Sequence, residues 1–320
     1  MHLRQLEYLA ALARESHFGR AAETCNISQP ALSQALRSIE TEFGIPIVDR
    51  RQHGFHGFTP EGQLVLEWIR RVLAERDILV QKISGIKNGE LSGHIRLGVI
   101  PVVTPMVAML TTAFNRQHPG VTISIRSMTF TEIERGLERF EIDVGINYLD
   151  VGSSNGLRTY ALYNESYYLL APENLPMAER GTISWSEAGA LPLCLLTPEM
   201  HNRRIINQIF ESVGVIPRTV IETNCAVTLC SHVRSGQWYA IVPQTFLYLL
   251  GGWAEPRALT LVNPVVTNAI GLLIPERHPL PPVIAAFVET VQSLMIDDEL
   301  QKHVPRLSAG DAPLSPEVAV

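Results

Sequence analysis

The chain has 320 residues, 46% hydrophobic and 18% charged, enough to bury a sizeable core without disulfide staples. At about 100–200 residues per domain, this length suits two domains or one small and one large. The net charge of −6 is uneven: residues 1–90 carry 11 Lys+Arg against 11 Asp+Glu, leaving 15 against 21 for the rest, so any nucleic-acid function must rest on local geometry and not on bulk basicity.

In chain order, residues 2–15 place Leu3, Leu6, Leu9, Ala10 and Ala13 at helical spacing. After a break at Ser16-His17, a second helix is predicted over about 18–25, and Cys25-Asn26-Ile27 turns the chain. Ser28 suits an N-cap, Pro30 suits the first turn, and Gly44 suits a C-terminal stop, which bounds a third helix ending near Phe43. Ala31, Leu32, Ala35, Leu36, Ile39 and Phe43 form its apolar stripe, while Gln29, Ser33, Gln34 and Arg37 project elsewhere with no carboxylate before Glu40. A helix, tight turn and second helix with an acid-free polar N-terminal half suits a major-groove reader, although a solvated face has the same pattern.

Ile47 to Phe58 reads as a small hairpin carrying Arg50 and Arg51, which suit phosphate or minor-groove contacts. His53 and His56 on that loop have no cysteine or carboxylate ligand set around them, so no metal is expected. Thr59-Pro60-Glu61 starts a long helix. Within it Val65, Ile69, Val72, Arg76, Leu79, Ile83 and Ile86 recur at alternating spacings of 4 and 3, a heptad seam that predicts pairing with a second copy.

The run RAAETCNISQPALSQALRSIETEFGIPIVDRR, with FTPEG and the long helix, resembles the winged helix-turn-helix of LysR-type transcriptional regulators. Phe58 stands where the family commonly has Leu, a conservative packing change. The resemblance implies that Gln29, Pro30, Ser33 and Arg37 face the major groove, with Arg50 and Arg51 on the wing. It implies double-stranded DNA with paired half-sites as partner, a homodimer or tetramer, and admits RNA polymerase as a further partner.

A polar hinge follows at 87–93, and then strand and helix patterns alternate. Strands are predicted at His94–Val99, Val121–Ser127, Ile142–Asn147, Tyr167–Ala171, Leu191–Leu196, Val220–Thr223, Tyr239–Val242 and Ile270–Ile274. Helices are predicted at about 103–115, 131–140, 200–213, 224–235 and 281–296, which together argue an α/β fold with mostly parallel sheets. The segments IRLGVIP, FNRQHPGVTISI, GLERFEIDVGI and VRSGQWYAIVP resemble the family's effector domain, itself similar to type II periplasmic binding proteins. The expected organisation is therefore a DNA-binding domain at 1–59, a linker helix and hinge at 60–90, and an effector domain at 91–303. By analogy its first lobe is about 91–163 plus 267–303, its second about 164–266, and 304–320 is a disordered tail.

Helix starts converge on the expected cleft, and their free N–H groups favour an anion, with a small organic acid the expected effector. The candidates are Ile100, Pro101, Val102, Thr104, Thr129, Phe130, Thr131, Thr197 and Asn224, faced by Met200, His201, Asn202 and Arg203. Thr129 with Glu132 and Thr131 with Glu134 also match the capping box, and Arg203 beside Arg204 also suits an exposed charge.

Three other readings compete. Gly152-Ser153-Ser154-Asn155-Gly156 matches the nucleophile elbow of a serine hydrolase, but Leu157 to Leu162 reads as extended where that turn needs a helix, so no catalysis is expected. A redox switch would need paired cysteines, yet TPEMHNRRIINQIF contains none, and Cys225 and Cys230 lie five apart on one helix. A ligand-independent DNA-binding oligomer stays open. The four cysteines form no CxxC, MHLRQLEYLA has no signal-peptide pattern, and the uncharged stretches Leu97–Asn115 and Ser235–Ala254 are broken by prolines and polar residues. A cytoplasmic protein without cofactor or membrane partner is the expectation.

Overall fold

The computed structural model describes residues 2–49, 55–88, 90–149, 156–172, 181–250, 257–277, 279–304 and 318–319. It divides into two compact units: Met1–Leu91 with Glu138–Glu141, and Ser92–Leu137 with Ile142–Val320.

In the first unit α1 (Leu3–Glu15), α2 (Phe18–Thr24) and α3 (Gln29–Phe43) pack around one apolar core. The buried line of α1 is Leu6, Leu9 and Leu12 with Ala11, whereas Leu3 is exposed because the first turn extends past the core. The His17 imidazole caps α2, its Nδ1 accepting from the Gly19 and Arg20 amides at 3.0 and 3.3 Å. Ser28 caps α3 through the Ala31 amide, and Gly44 ends it at φ +70°. Leu32, Leu36 and Ile39 are buried as expected, but Ala31 and Phe43 are exposed because they lie at the two ends, beyond the facing helices.

The wing is pinned by an antiparallel bridge between Val48 and Phe58. Glu40 reaches back from α3 so that one carboxylate oxygen accepts from the Ile47 and Val48 amides, at 3.0 and 3.1 Å. Thr59 Oγ1 accepts the Gly62 amide at 2.9 Å and starts α4 (Pro60–Asn88), about 43 Å long at about 1.5 Å per residue.

The second unit begins with β1 (Gly93–Val99). The helix expected from residue 103 starts instead as a tight 3₁₀ stretch, Pro101–Met106, because Pro105 offers no amide and its ring obstructs the preceding turn. It continues as α5 (Val107–Gln117), β2 (Val121–Ser127), α6 (Phe130–Glu138) and β3 (Val144–Tyr148). Next come β4 (Leu157–Ala171), β5 (Thr182–Ser184), α7 (Trp185–Ala190), β6 (Leu193–Leu196), α8 (His201–Ser212), β7 (Thr219–Thr223) and α9 (Ala226–Arg234). The chain then forms β8 (Tyr239–Pro243), α10 (Gln244–Leu250), β9 (Arg257–Val262), β10 (Val266–Pro275), α11 (Pro282–Gln292), α12 (Ile296–Gln301) and the short β11 (Val318–Ala319).

The strands run in the order β2-β1-β3-β10-β4-β8-β6-β7. Outer pairs such as β1–β2 and β6–β7 are parallel, as expected, but the central β3–β10, β10–β4 and β4–β8 pairs are antiparallel, so the sheet is mixed. Strand β4 ties its halves together: Leu157–Ser166 pairs with β10, and Tyr167–Ala171 pairs with β8 and β9. Each half has its own aromatic core, Phe114 against Phe287 at 5.2 Å and Trp185 against Phe210 at 5.3 Å. Of the carboxy-terminal tail, 305–317 and 320 lie outside the described residues, while Val318 and Ala319 run parallel to Val266 and Thr267.

Candidate functional site

On α3 the side chains expected to read DNA lie on the surface: Gln29, Pro30, Gln34 and Arg37 are exposed and Ser33 is half-buried. The buried Leu32, Leu36 and Ile39 fix their orientation from the opposite side. Arg50 and Arg51 lie outside the described residues.

The expected heptad seam is split. Ile69 is buried in the core of its own module with Val65 packed against that core, so neither is free to meet a second copy. Arg76, the seam's polar member, forms ion pairs with Glu7 of α1 and with Asp77. The outward apolar positions are Leu64, Trp68, Val72, Leu79, Val80 and Ile83, each more than 40% exposed. Val72, Leu79 and Ile83 belong to the expected seam, whereas Leu64, Trp68 and Val80 do not, because the first half of α4 must also close the core of the helical module. The Ile86 side chain is outside the described residues.

In the second unit, segments far apart in sequence line a cavity of about 130 Å³. Of the expected effector residues, Ile100, Pro101, Val102, Thr129, Phe130, Thr131, Met200, His201 and Asn202 line it, joined by Tyr148, Glu199 and Arg204, which the sequence pattern did not single out. Thr104, Thr197 and Asn224 are not among its lining. Thr197 instead builds the turn before α8, its carbonyl accepting from the Met200 amide at 3.0 Å.

Arg203, expected on the cavity wall, is not there. Its side chain is 7% exposed and turned into the second half of the sheet, where the guanidinium donates to the Leu196 carbonyl, to Glu222 at 2.9 Å and to Asn207 at 2.8 Å. A guanidinium this deeply buried needs such partners, and they leave it committed to structure. Its neighbour Arg204 is the arginine on the cavity wall.

The Thr129 amide and hydroxyl both donate to Glu132, at 2.8 and 2.9 Å, and these bonds hold that carboxyl below its usual range. Thr129 is therefore a helix cap as well as a residue lining the cavity. The Asn147 amide donates to the Phe130 carbonyl at 3.2 Å and anchors the start of α6. Across the cavity His201 stacks on Phe130 and tilts against Tyr148, each at 4.9 Å between ring centres. Burial, helped by the Arg204 charge, lowers the His201 pKa and favours the neutral ring. A hydroxyl from the other half, Thr245 Oγ1, donates to the Val102 carbonyl at 2.6 Å and fixes that wall.

Behind the cavity lies a buried polar chain. Asn202 Nδ2 donates to the Tyr148 hydroxyl at 3.2 Å, and that hydroxyl donates to Glu165 Oε1 at 2.8 Å. Glu165 is fully buried on β4, and Asn268 on β10 donates to the neighbouring Tyr167 hydroxyl at 3.1 Å. Burial pushes the Glu165 carboxyl up to about 7, against the opposing pull of hydrogen bonds from Tyr148 and Tyr167. Asn202 Oδ1 and His201 Nε2 are buried without a hydrogen-bond partner.

Cys225 is exposed at the start of α9 and Cys230 is buried in the adjacent core, and both are free thiols. Ser153, with the rest of 152–155, lies outside the described residues, and the segment after Gly156 is the strand β4, not a helix. Among the described residues no helix is long and apolar enough to cross a membrane.

Residues 3–63 match the family model of the bacterial regulatory helix-turn-helix protein, lysR family, and residues 88–295 match the LysR substrate binding domain. The chain is 25% identical over 304 residues to a hydrogen peroxide-inducible genes activator of Haemophilus influenzae, covering 92% of this chain and 99% of that protein. It is 31% identical to the protein of the same description from Pectobacterium carotovorum, over 76% of this chain and 80% of the relative. Among solved structures it resembles a full-length OxyR variant from Pseudomonas aeruginosa, with TM-score 0.73, 23% identity, and coverage of 92% and 99% of the two chains. It also resembles full-length CbnR complexed with its target DNA, with TM-score 0.65, 22% identity and coverage of 91% and 99%.

Proposed function

Because the chain belongs to the LysR family of bacterial transcriptional regulators, we propose that its first module reads paired operator half-sites while its effector domain senses a small organic anion in the cavity between Thr129 and Met200. It is a DNA-binding transcription regulator with an effector-binding domain, and its relatives are regulators, not enzymes. It works in the cytoplasm, where the DNA is.

The reader is the exposed face of α3, with Gln29, Pro30, Ser33, Gln34 and Arg37 at the groove and Arg50 and Arg51 on the wing. The observation carrying this is an exposed, acid-free polar surface on a helix whose opposite side is locked into the core. Two copies meet along the outward stripe of α4 that includes Leu79 and Ile83. A module without net charge releases few counterions from DNA, so two half-sites are needed for useful affinity.

For the effector, the start of α6 and Arg204 supply positive potential against apolar walls from Ile100, Val102 and Met200. The relatives named for hydrogen peroxide raise a second reading, but a reversible disulfide is disfavoured here: the α8 segment has no cysteine, and Cys230 is buried while Cys225 is exposed. The test is a thermal-shift screen of the full-length protein against small carboxylates, repeated with DNA from upstream of its own reading frame. A ligand at about a hundredfold above its Kd should add about 2.7 kcal/mol. No carboxylate response, with DNA still bound, would favour a ligand-independent oligomer.

A further inference from the structure

Asn202 stands on the cavity wall, is 4% exposed, and has its Oδ1 buried with no hydrogen-bond partner. Which end of an amide meets a neighbour follows from the hydrogen-bond network around it. The Tyr148 hydroxyl has one proton, and it is spent on Glu165 Oε1 at 2.8 Å. Towards Asn202 that hydroxyl can therefore only accept, so it takes the amide nitrogen at 3.2 Å and leaves the carbonyl end free. A buried acceptor left unmade is costly, and a ligand that satisfies it gains strongly over one that cannot.

We propose that the effector is a small hydroxy acid whose hydroxyl donates to Asn202 Oδ1, and that Glu165, acting through the Tyr148 hydroxyl, is the positioning residue that presents this acceptor. The inference rests on the anion-sensing reading above: the carboxylate is met at the α6 start and Arg204, the hydroxyl at Asn202. A cavity of about 130 Å³ suits a molecule of only a few carbons. Glu165 does not line the cavity; its effect is on selectivity. If its carboxyl became an amide, that side chain could donate to the Tyr148 oxygen, the tyrosine proton could turn to Asn202, and the Asn202 amide could rotate to offer N–H instead.

The experiment is titration calorimetry on the full-length protein at pH 8.5, where Glu165 is ionised. The probes are propanoate, butanoate and pentanoate, their 2- and 3-hydroxy derivatives, the matching methoxy ethers, and the corresponding diols without a carboxylate. At least one hydroxy acid should bind about tenfold or more tighter than both its parent acid and its ether. That ratio should fall below about threefold in Glu165→Gln and persist in Asn202→Asp, whose two oxygens accept whatever the neighbour does. Should Glu165→Gln fail to unfold cooperatively, Asn202→Leu decides, since it cannot accept and must lose the ratio. A wild-type ratio near one overturns the inference while leaving anion sensing intact. An unchanged ratio in Glu165→Gln or Asn202→Leu overturns it too. Binding of diols but not carboxylates supports the hydroxyl contact and overturns the anion. Silence from every probe overturns both.

Discussion

The carbonyl oxygen of Ile47 stands 2.1 Å from the point where a Cβ on Gly62 would lie. Thr59, which caps the same helix, also donates its hydroxyl to the Pro46 carbonyl at 2.7 Å, so the wing entry and the start of α4 are fitted together backbone against backbone. Gly62→Ala must push these apart. We expect a loss of about 1–3 kcal/mol in urea unfolding, together with weaker operator binding. Wild-type stability would show that the contact can relax.

Arg37→Ala should weaken specific operator binding and move the thermal midpoint by no more than about a degree or two, because its side chain is exposed. A lost base contact costs about 1–3 kcal/mol. Competition between operator and random DNA reads the effect. A large fall in midpoint would instead assign Arg37 to the fold.

Charge on α4 should separate two roles. Leu79→Glu and Ile83→Glu, on the outward stripe, should give folded monomers in sedimentation. Ile69→Glu, in the core at 4% exposure, should unfold the helical module itself, visible as lost helical circular dichroism. Dimers retained in the first two variants would exclude this stripe as the interface.

Arg203→Ala should destabilise the effector domain by about 2 kcal/mol, less than a fully buried pair because the Glu222 side chain is 45% exposed. Once folded, the variant should bind carboxylate probes with wild-type affinity. A tenfold loss in affinity without loss of stability would return Arg203 to the cavity.

The Glu165 carboxyl is raised from 4.5 to about 7 in the folded protein, so the native state holds a proton that the unfolded chain releases in that window. Its contribution to stability is complete below about pH 4.5 and is lost as pH rises through about 7. At about 1.4 kcal/mol per pKa unit, the loss reaches about 3 kcal/mol. Glu165→Gln removes it, so the variant should gain on wild type between pH 5 and pH 8 in parallel denaturation curves. A difference that stays flat with pH would show that Glu165 titrates normally.

The helical module was largely legible in sequence because its signals are local: Ser28, Thr59 and Gly44 act within one turn of their own helix ends. His17 as a cap was not, since an imidazole substitutes for the usual hydroxyl or carboxylate only when Nδ1 faces the helix start. The heptad spacing of α4 shows where its apolar residues recur, but spacing alone cannot say that Ile69 turns to its own core while Leu79 and Ile83 face outward. At the cavity, residues beside helix starts were found because chain turns announce them. Tyr148 was not legible, since a tyrosine at a strand end carries no spacing rule. Arg203 and Arg204 are adjacent and chemically identical, and only the positions of Leu196 and Glu222 decide which one is buried.

The cavity takes its walls from short segments at 100–102, 129–131, 148 and 199–204, each ending a separate strand or beginning a separate helix. Because the backbone of each is anchored independently, an exchange at Val102 or Met200 alters one side of the chamber and leaves the others in register. If the cavity is the effector site and α3 the reader, as proposed, new chemical signals would be acquired one side chain at a time while the set of promoters obeyed is inherited unchanged.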